Sequence, residues 1–88
     1  MEISFDRGKR DATLRARGLD FADAGRIFEG RTLTVSDDRR DYGEVRLVTY
    51  GWIDETAVAM VWTKRNGTMR VISMRRMHQW EIAHVGLD

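Results

Sequence analysis

Asn66-Gly67 is the dipeptide that most limits what this chain can become. Both residues accept positive φ, and they sit between two runs, 56 to 64 (TAVAMVWTK) and 68 to 75 (TMRVISMR), that alternate in the period-2 manner of half-buried strands. A two-residue turn there makes the runs an antiparallel hairpin, around which the remaining elements must be arranged. The hairpin also carries charge that a sheet does not need in order to form: Lys64, Arg65, Arg70, Arg75 and Arg76 lie within its strands or at their ends. Guanidinium groups hold their charge at every working pH and present forked donors that fit phosphate oxygens. Clustered on a rigid element they make an anion site, and an RNA backbone is the obvious anion.

The other elements follow from local signals. Residues 2 to 5 (EISF) form a short strand candidate. Asp6 caps a helix over Arg7 to Arg17 that stops at Gly18, and Asp20 caps a second, short helix whose apolar stripe is Phe21, Ala24, Ile27 and Phe28. From Arg31 the pattern turns to strands, over 31 to 36 and 44 to 53, with a polar loop at 37 to 43 and a tight connection at Asp54-Glu55. A last helix runs from Met77 to His84 and ends at Gly86. Helices first and a meander afterwards predict an α+β fold, with two N-terminal helices packed on an antiparallel sheet and a short C-terminal helix, in one domain over residues 1 to 88.

Composition narrows the function classes. An apolar share of 42%, a charged share of 33% and a net charge of +1 exclude a polycationic tail, so any basic surface arises by segregation of charge within a globular fold. Acidic residues crowd the middle of the chain, and basic ones dominate 7 to 17 and 64 to 76. The absence of cysteine fits a reducing compartment, the N-terminus lacks a signal-type apolar core, and no apolar run reaches the roughly 18 residues that span a bilayer; a cytoplasmic protein without membrane attachment is expected. No His, Cys or carboxylate spacing reads as a metal site, and no cofactor is expected.

The chain resembles the BrnT family, the toxin half of bacterial type II toxin–antitoxin pairs, over most of its length. The opening Phe5-Asp6, Lys9, Ala16-Arg17-Gly18 and the Phe21 to Phe28 helix follow the family pattern without a gap, as do Glu44-Val45-Arg46 and Gly51. The closing signature is the more specific part: Thr63, Arg65, Gly67, Arg70, Ile72, Ser73, Arg75, Arg76 and Glu81. Ala16-Arg17 departs from the family's Lys-His, and Arg17 keeps the positive charge without being able to serve as a base. The resemblance implies a RelE-like fold, a ribonuclease that inhibits translation and growth, and neutralisation by a cognate BrnA-like antitoxin, with operator DNA bound only through the antitoxin complex.

Metal-independent RNA cleavage needs a base for the 2′-hydroxyl, cations for the crowded phosphorane and an acid for the leaving oxygen. Arg46, Arg65, Arg70 and Arg75 are the candidate cations, converging if the meander pairs in sequence order. Glu44 is the preferred base because it shares a strand face with Arg46, although the same pair also fits a solvated ion pair. His78, at a helix start after Arg75-Arg76, is a second proton-transfer candidate, with Glu81 and Tyr42 behind it. Lys9, Arg17, Lys64 and Arg76 are assigned to RNA binding, while the basic face of the first helix equally suits plain solvation. Trp52 and Trp62 are expected in the core, and Trp80 is left between the core and an interface. A non-catalytic module that binds nucleic acid or the antitoxin is the alternative reading.

Overall fold

The structure is a computed structural model that describes residues 2–39 and 41–87; Met1, Arg40 of the polar loop and Asp88 lie outside them. The described elements are β1 (Ile3–Phe5), α1 (Arg7–Arg17), a 3-10 helix (Phe21–Glu29), β2 (Leu33–Ser36), β3 (Leu47–Ile53), β4 (Thr56–Arg65), β5 (Thr68–Arg76) and α2 (Gln79–Val85). The strands form one sheet in the order β1-β5-β4-β3-β2. The α+β class is as expected.

The sheet is mixed, however, and not purely antiparallel. β1 lies parallel to β5, with Ile3 opposite Met69 and Phe5 opposite Val71. The long connection through both N-terminal helices carries the chain away from β1, and such a crossover leaves β1 to join the far side of the meander in the parallel sense. The second helix is also not an α-helix. Phe21, Ala24 and Ile27 are buried at intervals of three, which matches the three-residue turn of a 3-10 helix, whereas Phe28, the fourth member of the expected stripe, is half exposed. The third strand begins at Leu47, so Glu44 and Arg46 stand in the preceding loop. α2 begins at Gln79, after the buried Met77.

Local chemistry accounts for the ends of these elements. Asp6 accepts from the Lys9 amide at 2.9 Å, and Asp20 from the Ala22 amide at 2.9 Å, each satisfying a donor that the first turn leaves open. Asn66 and Gly67 both have positive φ, as the two-residue turn requires.

Two clusters occupy the two faces of the sheet. Phe21, Ala24 and Ile27 from the 3-10 helix pack on Val58, Met60, Trp62, Met69, Val71 and Met74, with Ile3 and Phe5 closing the β1 side. Trp62 is thus core as expected, its indole N–H donating to Thr49 Oγ1 at 2.8 Å. Gly51 is where the 3-10 helix comes closest: a Cβ there would lie 2.8 Å from Ile27 Cγ1. The opposite face is only partly covered. α2 brings Ile82 and Val85 over Ala57, Ala59 and Met77, and half-buried Trp52 joins them, donating to the Leu87 carbonyl at 3.1 Å. Trp80 is 68% exposed and belongs to neither cluster.

A bulge in the hairpin decides where the arginines point. Val61 pairs with Ser73 but Trp62 pairs with Val71, so Ile72 is an extra residue in β5. Arg70 and Arg75 are five apart, which in a regular strand sends them to opposite faces. With the bulge, Arg70 lies opposite Thr63 and Arg75 opposite Ala59, both on the sparsely covered face.

Candidate functional site

The open face holds a cleft of about 360 Å³. Its floor is Val48, Ala59 and Val61; its polar rim includes Ser36, Arg39, Tyr50, Ser73 and Arg75. A second cleft, of about 330 Å³, adjoins it across Ser36–Asp38 and reaches Tyr42, Glu44 and Arg46.

Arg75 is the best-defined cation. Its two terminal nitrogens donate to Glu81 Oε1 and Oε2 at 2.7 and 2.9 Å, the forked geometry that fixes a guanidinium in plane. Glu81 is buried, and the same carboxylate accepts from the His78 amide at 2.8 Å, so it both caps α2 and orients Arg75. Those donors, Arg75 first, hold the Glu81 carboxyl down at about 2 against the opposing cost of burial. A carboxylate so tightly held is a positioning group and a poor proton acceptor. The pair also lends the fold acid-sensitive stability, since a folded-state value below the ordinary 4.5 stabilises above that pH and fades as pH falls toward 2.

Arg39, across the cleft, is built in the same way. Its Nε and Nη2 donate to Asp37 at 2.8 and 2.9 Å, and Asp37 is itself buried at the end of β2. Arg39 keeps the Asp37 carboxyl below its ordinary range. Neither residue was distinguishable in the sequence from the rest of a charged loop, because the contact exists only once the loop folds back against β3, where the Asp37 amide donates to the Arg46 carbonyl at 2.8 Å.

The remaining candidates divide. Arg46 and Arg65 share Glu44: Arg65 donates to both carboxylate oxygens at 3.2 and 3.0 Å, while Arg46 Nε stands 3.7 Å from Oε2. That Nε is buried with no hydrogen-bond acceptor among the described residues, and the guanidinium lies 3.9 Å from the Tyr42 ring centre. Thr63 Oγ1 donates to the Val45 carbonyl at 2.6 Å and pins this loop to β4. Arg65, first, and then Arg46 lower the pKa of the Glu44 carboxyl, which weakens it as a base. Arg70 is on the same face and makes no ion pair among the described residues.

The groups assigned to RNA binding do not join them. Arg76 pairs across from Val58 on the helix-covered face and donates to the Arg17 carbonyl at 3.1 Å, and Arg17 in turn donates to the Met74 carbonyl at 2.8 Å. Lys64 lies opposite Met69, also on that face, and Lys9 is on the exposed side of α1. His78 stacks on Trp80, with ring centres 6.4 Å apart and planes 9° from parallel, and is not among the residues lining the cleft. Among the described residues no group of three or more His, Cys, Asp or Glu side chains could hold a metal, and no helix is long and apolar enough to cross a membrane.

Residues 5–81 match a family described as ribonuclease toxin, BrnT, of type II toxin–antitoxin system, and the chain belongs to that family. No curated protein matches the chain.

Proposed function

We propose, from that membership and from the paired guanidinium groups over the open sheet face, that residues 1–88 form one RelE-like toxin domain that cleaves RNA in the cytoplasm without a metal. The supporting observation is Arg75, held in plane by buried Glu81 at the rim of a cleft that Arg39 borders from the other side. A phosphodiester in that cleft meets preorganised donors for its non-bridging oxygens, which strengthen as charge builds on the phosphorane. The 2′-oxygen bonds to phosphorus as its proton leaves, the bond from phosphorus to the 5′-oxygen breaks, and that oxygen takes a proton. The products are a 2′,3′-cyclic phosphate and a 5′-hydroxyl. Arg70, Arg65 and Arg46 extend the cationic track along the same face.

Proton transfer falls to a hydroxyl rather than to Glu44 or Glu81, since both carboxylates are stabilised as anions. Tyr50, on the cleft rim within electrostatic reach of Arg75, is that group. The partner is a BrnA-like antitoxin that covers the basic face and carries the complex to operator DNA, and the free toxin arrests translation and growth. The same depressed carboxylates favour the second reading, a module that binds RNA or antitoxin without cutting.

Incubation of purified protein with RNA in EDTA separates the two. Cleavage with cyclic-phosphate ends, slowed by Tyr50→Phe and by Arg75→Lys, supports the nuclease. Salt-sensitive RNA binding with no cleavage supports the module, log K falling by about 0.7 per phosphate contact on single strands.

A further inference from the structure

We infer that the free edge of β2 is a self-association surface, pairing antiparallel with β2 of a second copy about a two-fold axis through Thr34. Every residue of β2 is exposed, and Leu33 and Val35 are 40% and 41% exposed on one face of it. Its inner edge is fully used: Leu33 pairs with Tyr50 and Val35 with Val48, and the Asp37 amide donates to Arg46. In an antiparallel ladder the hydrogen-bonded residues alternate. The backbone N–H and C=O of Thr32, Thr34 and Ser36 therefore point outward, unpaired by the chain's own sheet. Devices that normally blunt such an edge are missing, since β2 has no lysine, no proline and no bulge.

The register selects itself. Pairing on Thr34 sets Leu33 against Val35 of the second copy, and joins the outward-pointing groups of Thr32 and Ser36 across the axis. Beyond residues 32–36, Arg31 comes to the Asp37 end of the second copy, while Glu29, in the 3-10 helix, and Arg39, past the end of β2, lie outside the shared ladder. Sliding by one hydrogen-bonding step in either direction leaves one of the three outward-pointing residues of each copy without a partner in the other's exposed strand. Gly30 is extended, which continues the strand path toward Arg31. Arg31 gives one nitrogen to the Gly86 carbonyl and retains others. The pairing would extend the five strands into a ten-stranded sheet and set the two clefts side by side, since Val35 and Ser36 wall each one.

Hydrogen exchange on the unmodified protein, free of antitoxin and RNA, gives the direct test. The Thr34 and Ser36 amides are expected to gain protection as protein concentration rises, in step with dimer seen by sedimentation velocity, while the inward Val35 amide stays protected throughout. Leu33→Lys, which enters the interface twice, weakens association by roughly tenfold or more without changing the dilute-solution melting curve. Because the chain has no cysteine, Thr34→Cys gives a single reporter that cross-links faster than Ser4→Cys on the opposite edge. A monomer at every concentration, with Thr34 and Ser36 exchanging freely, overturns the inference. So does protection that arises only when antitoxin is added, which would give this edge to a partner strand.

Discussion

The two faces of this sheet are built on opposite rules. On the helix-covered face large side chains close a core: Phe21, Ile27, Met60 and Met74 are almost wholly out of contact with water. On the other face Ala57 and Ala59 give little height, α2 reaches only part of the way, and guanidinium groups with their own carboxylates stand where a second layer would otherwise be. The contrast shows how a small domain separates stability from chemistry. One face supplies the cohesion, and the other is left open enough for a polyanion to lie on it.

Phe21→Ala should be the most damaging change, costing about 3 to 5 kcal/mol in denaturant unfolding, whereas Val61→Ala on the cleft floor should cost about 1 kcal/mol. Equal costs would mean that the open face is a core after all. Arg75→Lys reverses the pattern: stability changes little because the charge beside Glu81 remains, but loss of the fork should slow RNA cleavage about 100-fold, on the order of 3 kcal/mol of barrier. Cleavage at the parental rate would remove Arg75 from the site. Gly51→Ala presses on Ile27, on the Thr32 side chain and on the Arg31 carbonyl, and should lower stability by about 1 to 3 kcal/mol, read as a fall in Tm. Glu81→Gln should have a modest effect at neutral pH. After allowance for the partly exposed Arg75, the expected loss is about 1 to 2 kcal/mol, and the variant's unfolding curve should flatten between pH 4.5 and about 2, where the parent loses this contribution.

What could be read from the chain was whatever local chemistry decides. Asn66-Gly67, the Asp6 and Asp20 caps and the left-handed Gly18 and Gly86 all lie where turn and cap rules place them. Three features depended on distant contacts and were misread or missed. The parallel seat of β1 is set by a crossover and not by the residues EISF. Glu-Val-Arg-Leu alternates like a strand, yet Glu44 is drawn off by Arg65, a residue 21 positions away. Arg70 and Arg75 share a face only because of the bulge at Ile72, which no residue pattern announced, and the Arg39–Asp37 half of the cleft left no sequence signal beyond two charges two residues apart. Arg17 and Arg76 show the converse: a basic residue near a motif can be engaged on the face away from the cleft, where Lys64 also lies.

The additional residue in β5 makes the length of the facing strand, β4, a stricter constraint than residue identity at this point. Ile72 can be exchanged for another apolar side chain with modest consequence, and deleting it would leave Trp62 opposite Val71 and Val61 opposite Ser73 in an unbroken ladder; a residue inserted between Val61 and Trp62 would instead take Ile72 as its partner and set the two ends of the hairpin half a repeat out of phase, driving a cation into the oily layer beneath the 3-10 helix. The domain would then have to give up either its hairpin alignment or the shared face of Arg70 and Arg75, so a one-codon gain in β4 should disturb the cleft more thoroughly than most point changes around it.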